Sequence, residues 1–140
     1  MCSLQRPLDD KTQLRVLVEA QAVLGVLALC ESGSADLIAS DALVFETDAN
    51  SDAVRRAFAA QAIAKATQFV KMDDHLKARA QTFIDAGIKP LDALHLASAV
   101  EAQADFFCTC DDRLLKKTRS LDTAPTKVVS PLELVSELQL

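Results

Sequence analysis

Three acidic residues stand out by position: Glu46 soon after a strand-like run, Asp92 at the start of a helix-like one, and Asp111 directly after a strand-like run. In an open parallel sheet, sites form beyond the carboxyl ends of the strands, so carboxylates delivered there converge on one crevice. Carboxylates gathered without basic partners repel one another, and a hard divalent cation such as Mg2+ or Mn2+ relieves that repulsion through oxygen ligation. A blander reading competes for each. Glu46 can be a solvated helix residue, and Asp92 and Asp111 can be caps, since the N-terminal end of a helix favours negative charge. Spacing alone leaves both readings open.

The elements that would position these residues are marked by periodicity and punctuation. Thr12 to Ser32 is rich in Ala, Leu and Val, with Leu14, Leu17, Val18 and Leu24 at helical spacing. Asp10 with Gln13 resembles a capping box, and Gly33 suits the left-handed turn that ends a helix. The run 36–39 reads as a strand, and Ser40-Asp41 opens a helix carrying Glu46. Ser51 is the expected cap of a helix over 52–67, and 69–72 reads as a strand. Asp73 caps and Gly87 stops the next helix. Pro90 fits the first turn of a helix over 91–104, where its missing N–H costs nothing. Strand 105–110, a short basic helix 113–119, strand 127–129 and a helix 131–139 complete the chain. Strands alternating with helices, without hairpin turns between them, predict an α/β fold: three layers, α/β/α, around a parallel sheet.

A length of 140 residues, half of them apolar, predicts one domain over 1–140. Fifteen Lys and Arg against twenty Asp and Glu leave a net charge of −5, so a polyanion must be met by a local basic patch or a bound cation. Candidates for such a patch are Lys89, beside Asp92, and Arg113, Lys116 and Lys117, after Asp111, although a solvated charged face is the commoner meaning of such a run. The apolar run 22–30 is too short to span a bilayer, and residues 1–10 lack signal-peptide order, so a cytoplasmic protein without membrane contact is expected. Cys108 and Cys110 would share one face of a strand, but no second Cys or His pair completes a zinc site. With Gly only at 25, 33 and 87, there is no Gly-rich phosphate loop.

The context of Asp92 narrows the choice. Residues 89–99, KPLDALHLASA, resemble the DALHLA helix of the PIN-domain family, and 104–115, ADFFCTCDDRLL, resemble the strand and T-x-D turn that come after it there. Residues 40–46, SDALVFE, look like that family's second acidic segment, and 128–133, VVSPLE, like its closing strand and helix. The resemblance implies a PIN-like ribonuclease, similar to the toxin half of toxin–antitoxin pairs, that hydrolyses RNA phosphodiesters with Mg2+ or Mn2+. Glu46, Asp92 and Asp111 would be catalytic metal ligands, with Thr109 as an accessory hydroxyl and Asp112 as the nearest rival of Asp111. The partners it implies are an RNA substrate and an antitoxin protein, and a homodimer is a further expectation.

The chain departs from that pattern at its start. PIN domains usually open with a central apolar strand ending in an aspartate, whereas residues 2–10 look like the segment just beyond that aspartate. The expectation is a start assigned too far downstream, with a truncated or an inactive relative as the alternatives. A module that binds RNA or a protein without cutting is the second functional reading, and a flavodoxin-like or receiver-like domain, against which the DALHLA stretch speaks, is the third. His95, one turn from Asp92, is given no role, because a satisfied helix histidine is the commoner case.

Overall fold

A computed structural model describes residues 2–138 of the chain. The elements run α1 (Cys2–Gln5), a 3-10 turn (Arg6–Leu8), α2 (Leu14–Glu31), β1 (Ile38–Ser40), α3 (Asp41–Ala49), α4 (Ala53–Ala64) and β2 (Gln68–Val70). They continue through α5 (Asp74–Asp85), α6 (Pro90–Glu101), β3 (Phe106–Cys108), α7 (Asp112–Thr118), β4 (Lys127–Val129) and α8 (Pro131–Glu137). Helices and parallel strands alternate, so the class is α/β as expected. The predicted end of the last helix, Gln139, lies outside the described residues, as does the place of an aspartate at or before Met1.

Short polar side chains write most helix starts by accepting hydrogen bonds from otherwise orphaned N–H groups. Ser40 Oγ accepts from Leu43 N, Asp73 Oδ1 from Leu76 N, and Ser130 with Glu133 forms a reciprocal capping box. Two expected caps shift. Asp52, and not Ser51, caps α4, and Asp10 closes a local turn on Thr12 N while α2 starts later, behind Gln13, without a side-chain cap. Gly33 and Gly87 do end their helices at φ 82° and 100°, in the left-handed region that costs glycine little.

Leu76, Ala80 and Phe83 of α5 fall at helical spacing and meet Ala93, Leu96, Ala97 and Val100 of α6 in the main apolar cluster, which Ile88 and Leu114 close. The alanines let the two helix backbones approach. Partly buried Val70, Phe107 and Val128 carry this cluster onto strands β2, β3 and β4.

In place of the one parallel sheet that the alternation predicts, the strands form two pairs. β1 pairs with β2 (Ile38 opposite Gln68, Ser40 opposite Val70), and β3 with β4 (Phe106 opposite Lys127, Cys108 opposite Val129). β1 and β3 are not hydrogen-bonded to each other, although α6 packs against both. In a parallel pair successive residues turn their backbone groups to opposite sides. Asp105 and Thr109 bond to β4, so Cys108 turns away from it, and its carbonyl accepts from Ser3 Oγ of α1 at 3.0 Å. A helix therefore meets the edge of β3 where a strand would continue a sheet. The strand expected to reach Cys110 stops at Cys108, so the two thiols do not share a strand face.

Candidate functional site

Glu46 lies in the second half of α3, and its Oε2 is 2.9 Å from His95 Nε2 of α6. A carboxylate only accepts, so Nε2 carries the proton and donates it. The pair is well enclosed, with the His95 side chain 9% and the Glu46 side chain 22% exposed. Burial alone pushes the Glu46 carboxyl up, but the hydrogen bond from His95 and its nearby charge hold it below its ordinary value, so it stays ionised near neutrality.

Asp92 is the third residue of α6, half-buried in the first turn. The cap position belongs to Lys89, which makes no side-chain hydrogen bond, and Pro90 fills the first helical position. Among the described residues no hydrogen bond or ion pair engages the Asp92 carboxylate. It has the favourable field of the helix end without acting as its cap.

Asp111 does cap a helix. Its Oδ1 accepts from Arg113 N at 2.9 Å and from Leu114 N at 3.3 Å, while its own N–H donates to the buried Thr109 Oγ1 at 3.1 Å. Asp112, the rival position, is exposed and turned to α2, where both carboxylate oxygens take a hydrogen bond of 2.7 Å from Arg15. That bidentate contact holds the Asp112 carboxyl below its usual range and raises the Arg15 guanidinium further. Arg15 also reaches the Cys110 carbonyl at 3.4 Å, so one side chain clamps the turn on both sides of Asp111.

The histidine joins Glu46 to the helix of Asp92, while Asp111 sits on a separate turn. Among the described residues no three His, Cys, Asp or Glu side chains gather closely enough to share an ion. The donors suit a hard divalent cation in kind, being carboxylate oxygens, but fall short in assembly. Of the basic candidates, Lys117 donates to the Gly87 carbonyl at 2.8 Å, which brings the end of α7 against the α5–α6 turn that also carries exposed Lys89. Arg113 and Lys116 are exposed on the same helix, α7.

Sequence reasoning gives His95 and Arg15 no part. The signal for His95 was its spacing, three residues from Asp92 and therefore on the same helix face. Nothing local marks Arg15, whose partner lies 97 positions away.

No helix among the described residues is long and apolar enough to cross a membrane. No curated protein and no solved structure matches the chain. A family model for the PIN domain matches residues 12–120, a span that holds Glu46, Asp92 and Asp111. PIN domains are nuclease-type domains that generally act on RNA and use divalent metal ions. With most of its length inside that match, the chain belongs to the PIN-domain family.

Proposed function

We propose that this protein is a PIN-type endoribonuclease dependent on Mg2+ or Mn2+, with Glu46, Asp92 and Asp111 as the acids of its site. The observation that carries this reading is Asp92: a half-buried carboxylate at the start of α6 that, among the described residues, neither caps its helix nor pairs with a cation. Glu46, drawn to the same helix by His95, supports it. Exposed Lys89, Arg113, Lys116 and Lys117 offer RNA phosphates a local positive surface on an acidic protein. Cleavage of RNA in Mn2+, lost in EDTA and in Asp92→Asn, tests the assignment. Metal-dependent cleavage unaffected by that substitution overturns it.

Because the donors do not close on one ion, a strand between β1 and β3 that brings a further carboxylate belongs to the same proposal. Its support is the separation of the two strand pairs beneath α6. In-frame codons upstream of Met1 that encode an apolar stretch ending in Asp would supply it. A toxin held by an antitoxin, working as a cytoplasmic homodimer, is the finer form of the reading. A small acidic or DNA-binding protein encoded beside this one, able to suppress cleavage, is its test.

A second reading has its own observation: Asp111 is already employed as the cap of α7, and no three acids gather among the described residues. Under it the domain binds RNA through its basic face without cutting. RNA binding that persists undiminished in EDTA, with no cleavage in Mn2+, would favour it.

A further inference from the structure

The shortfall in the assembly of the acids has a local counterpart: Glu46 is already held, by a side chain outside the acidic set. His95 Nε2 lies 2.9 Å from Glu46 Oε2, and the histidine side chain is more than nine-tenths buried. On α6 it stands one turn after Asp92. The ring is thus confined by packing and cannot follow a wandering carboxylate. Any rotation of Glu46 must break the bond, while the backbone of α3 alone leaves a glutamate several rotamers. The bond also ties together two elements, α3 and α6, that are in contact.

We propose that His95 is the positioning residue for Glu46, fixing one carboxylate oxygen so that the group is held against α6 one turn after Asp92. The proposal rests on the reading of Glu46 as a ligand. It differs from that reading in giving a part to a residue that touches neither ion nor RNA. Carboxylates that serve metal ions are themselves held by hydrogen bonds, and loss of such a partner costs affinity although no ligand is removed. A histidine whose other functions were only to fill the core would not show this dependence, since a ring of similar size would replace it.

Mn2+ titration of the folded chain, read by the electron paramagnetic resonance signal of the free ion, separates these cases. His95→Phe keeps a flat ring and removes the donor; His95→Gln keeps an N–H at about the reach of Nε2. The expected result is Mn2+ affinity weakened about tenfold in His95→Phe and restored to within about twofold of wild type in His95→Gln. In a Glu46→Gln background, His95→Phe should produce no further loss, because the group it positions has lost its charge. Circular dichroism melts accompany each variant.

If Glu46→Gln weakens Mn2+ binding and a folded His95→Phe does not, the positioning role is overturned and the ligand stands. If Glu46→Gln changes nothing in a chain that binds Mn2+, the ligand assignment fails and takes this proposal with it; if the chain binds none, the nitrogen-15 spectrum of the imidazole decides the contact. Should His95→Phe not fold, the same spectrum decides: a proton on Nε2 whose resonance shifts in Glu46→Gln upholds the contact. An Nε2 resonance indifferent to that substitution overturns it.

Discussion

The two helices that do most to organise the molecule, α6 and α2, are buried by opposite means. α6 covers Ala93, Leu96, Ala97 and Val100, and its buried Ser98 returns its hydroxyl to the Leu94 carbonyl at 2.7 Å. α2 buries Ala20, Ala22 and Val23 beside a carboxylate, Glu19, which is 3% exposed. Glu19 Oε1 lies 3.5 Å from both Arg6 Nε and Arg15 Nε, near enough for charge attraction but without hydrogen-bond geometry. Leu14 and Leu24 of α2 meanwhile face solvent. The helix that carries Asp92 and His95 is therefore seated by close apolar contact, a rigid base for a site. α2 is docked by charge, and the strand pairing is interrupted near α1, which leads into it.

If that contrast is real, the largest effect belongs to α6. Leu96 is fully buried, and Leu96→Ala should cost about 3 kcal/mol in urea unfolding, the transfer of its side chain plus the cavity left behind. Leu24→Ala on α2 should change stability by less than about 0.5 kcal/mol. Comparable losses from both would mean that α2 is packed like α6 after all.

Next in size is the charge that seats α2. Glu19→Gln keeps the shape and removes the charge from between two guanidinium groups. The expected loss is about 2 kcal/mol, less than for a wholly buried pair, because Arg15 is half exposed. A loss too small to measure would show that α2 docks by its alanines and Val23, and the comparison would collapse.

Smaller still are the caps, which sharpen the contrast between the two candidate aspartates. Asp111→Ala removes two hydrogen bonds at the start of α7 and should cost about 1 kcal/mol, while Asp111→Asn should restore most of it. Asp92→Ala should cost less than Asp111→Ala, since Asp92 makes no capping bond and contributes only its charge to the helix end, about 0.5 kcal/mol. The reverse order in thermal melts would return Asp92 to a structural part.

Legibility in the sequence divides along the same line. Helices α5 and α6 can be read closely, because the apolar period of Leu76, Ala80 and Phe83, the cap at Asp73 and the stop at Gly87 all agree. The strands are also found, β4 with its expected bounds, but 36–39, 69–72 and 105–110 give only three paired residues each, and that shortening is not legible, since pairing depends on a neighbour and not on the strand's own residues. That α1 meets the Cys108 carbonyl is likewise beyond local reading. For the site, Glu46 and Asp111 can be picked out by their place after strands and Asp92 by its place at a helix start. Their partners cannot: the Glu46–His95 and Arg15–Asp112 contacts join residues 49 and 97 positions apart, and no local spacing encodes them.

The smallest effect, and the last test of the contrast, is the acid sensitivity of the clamp between α2 and α7. Asp112 is held below its ordinary 3.8, chiefly by the hydrogen bonds from Arg15, which outweigh the opposing effect of desolvation, and to a lesser degree by that residue's charge. A carboxyl whose value is lower in the folded than in the unfolded chain contributes stability that is fully present above the unfolded value. That stability is lost as the pH falls through the folded one. Acidification below 3.8 should therefore weaken the tie between α2 and the turn holding Asp111, and Asp112→Asn should remove this share of the acid-side slope while leaving the rest. Because the pair is open to solvent, raising salt to about 0.5 M should shrink the difference between wild type and variant, whereas the Leu96→Ala loss should persist. Urea midpoints measured from about pH 6 down to about pH 3 check both statements. If the two proteins lose stability with identical slopes at low salt, Arg15 is an ornament of the surface, and α2 is held to the T-x-D turn by something other than charge.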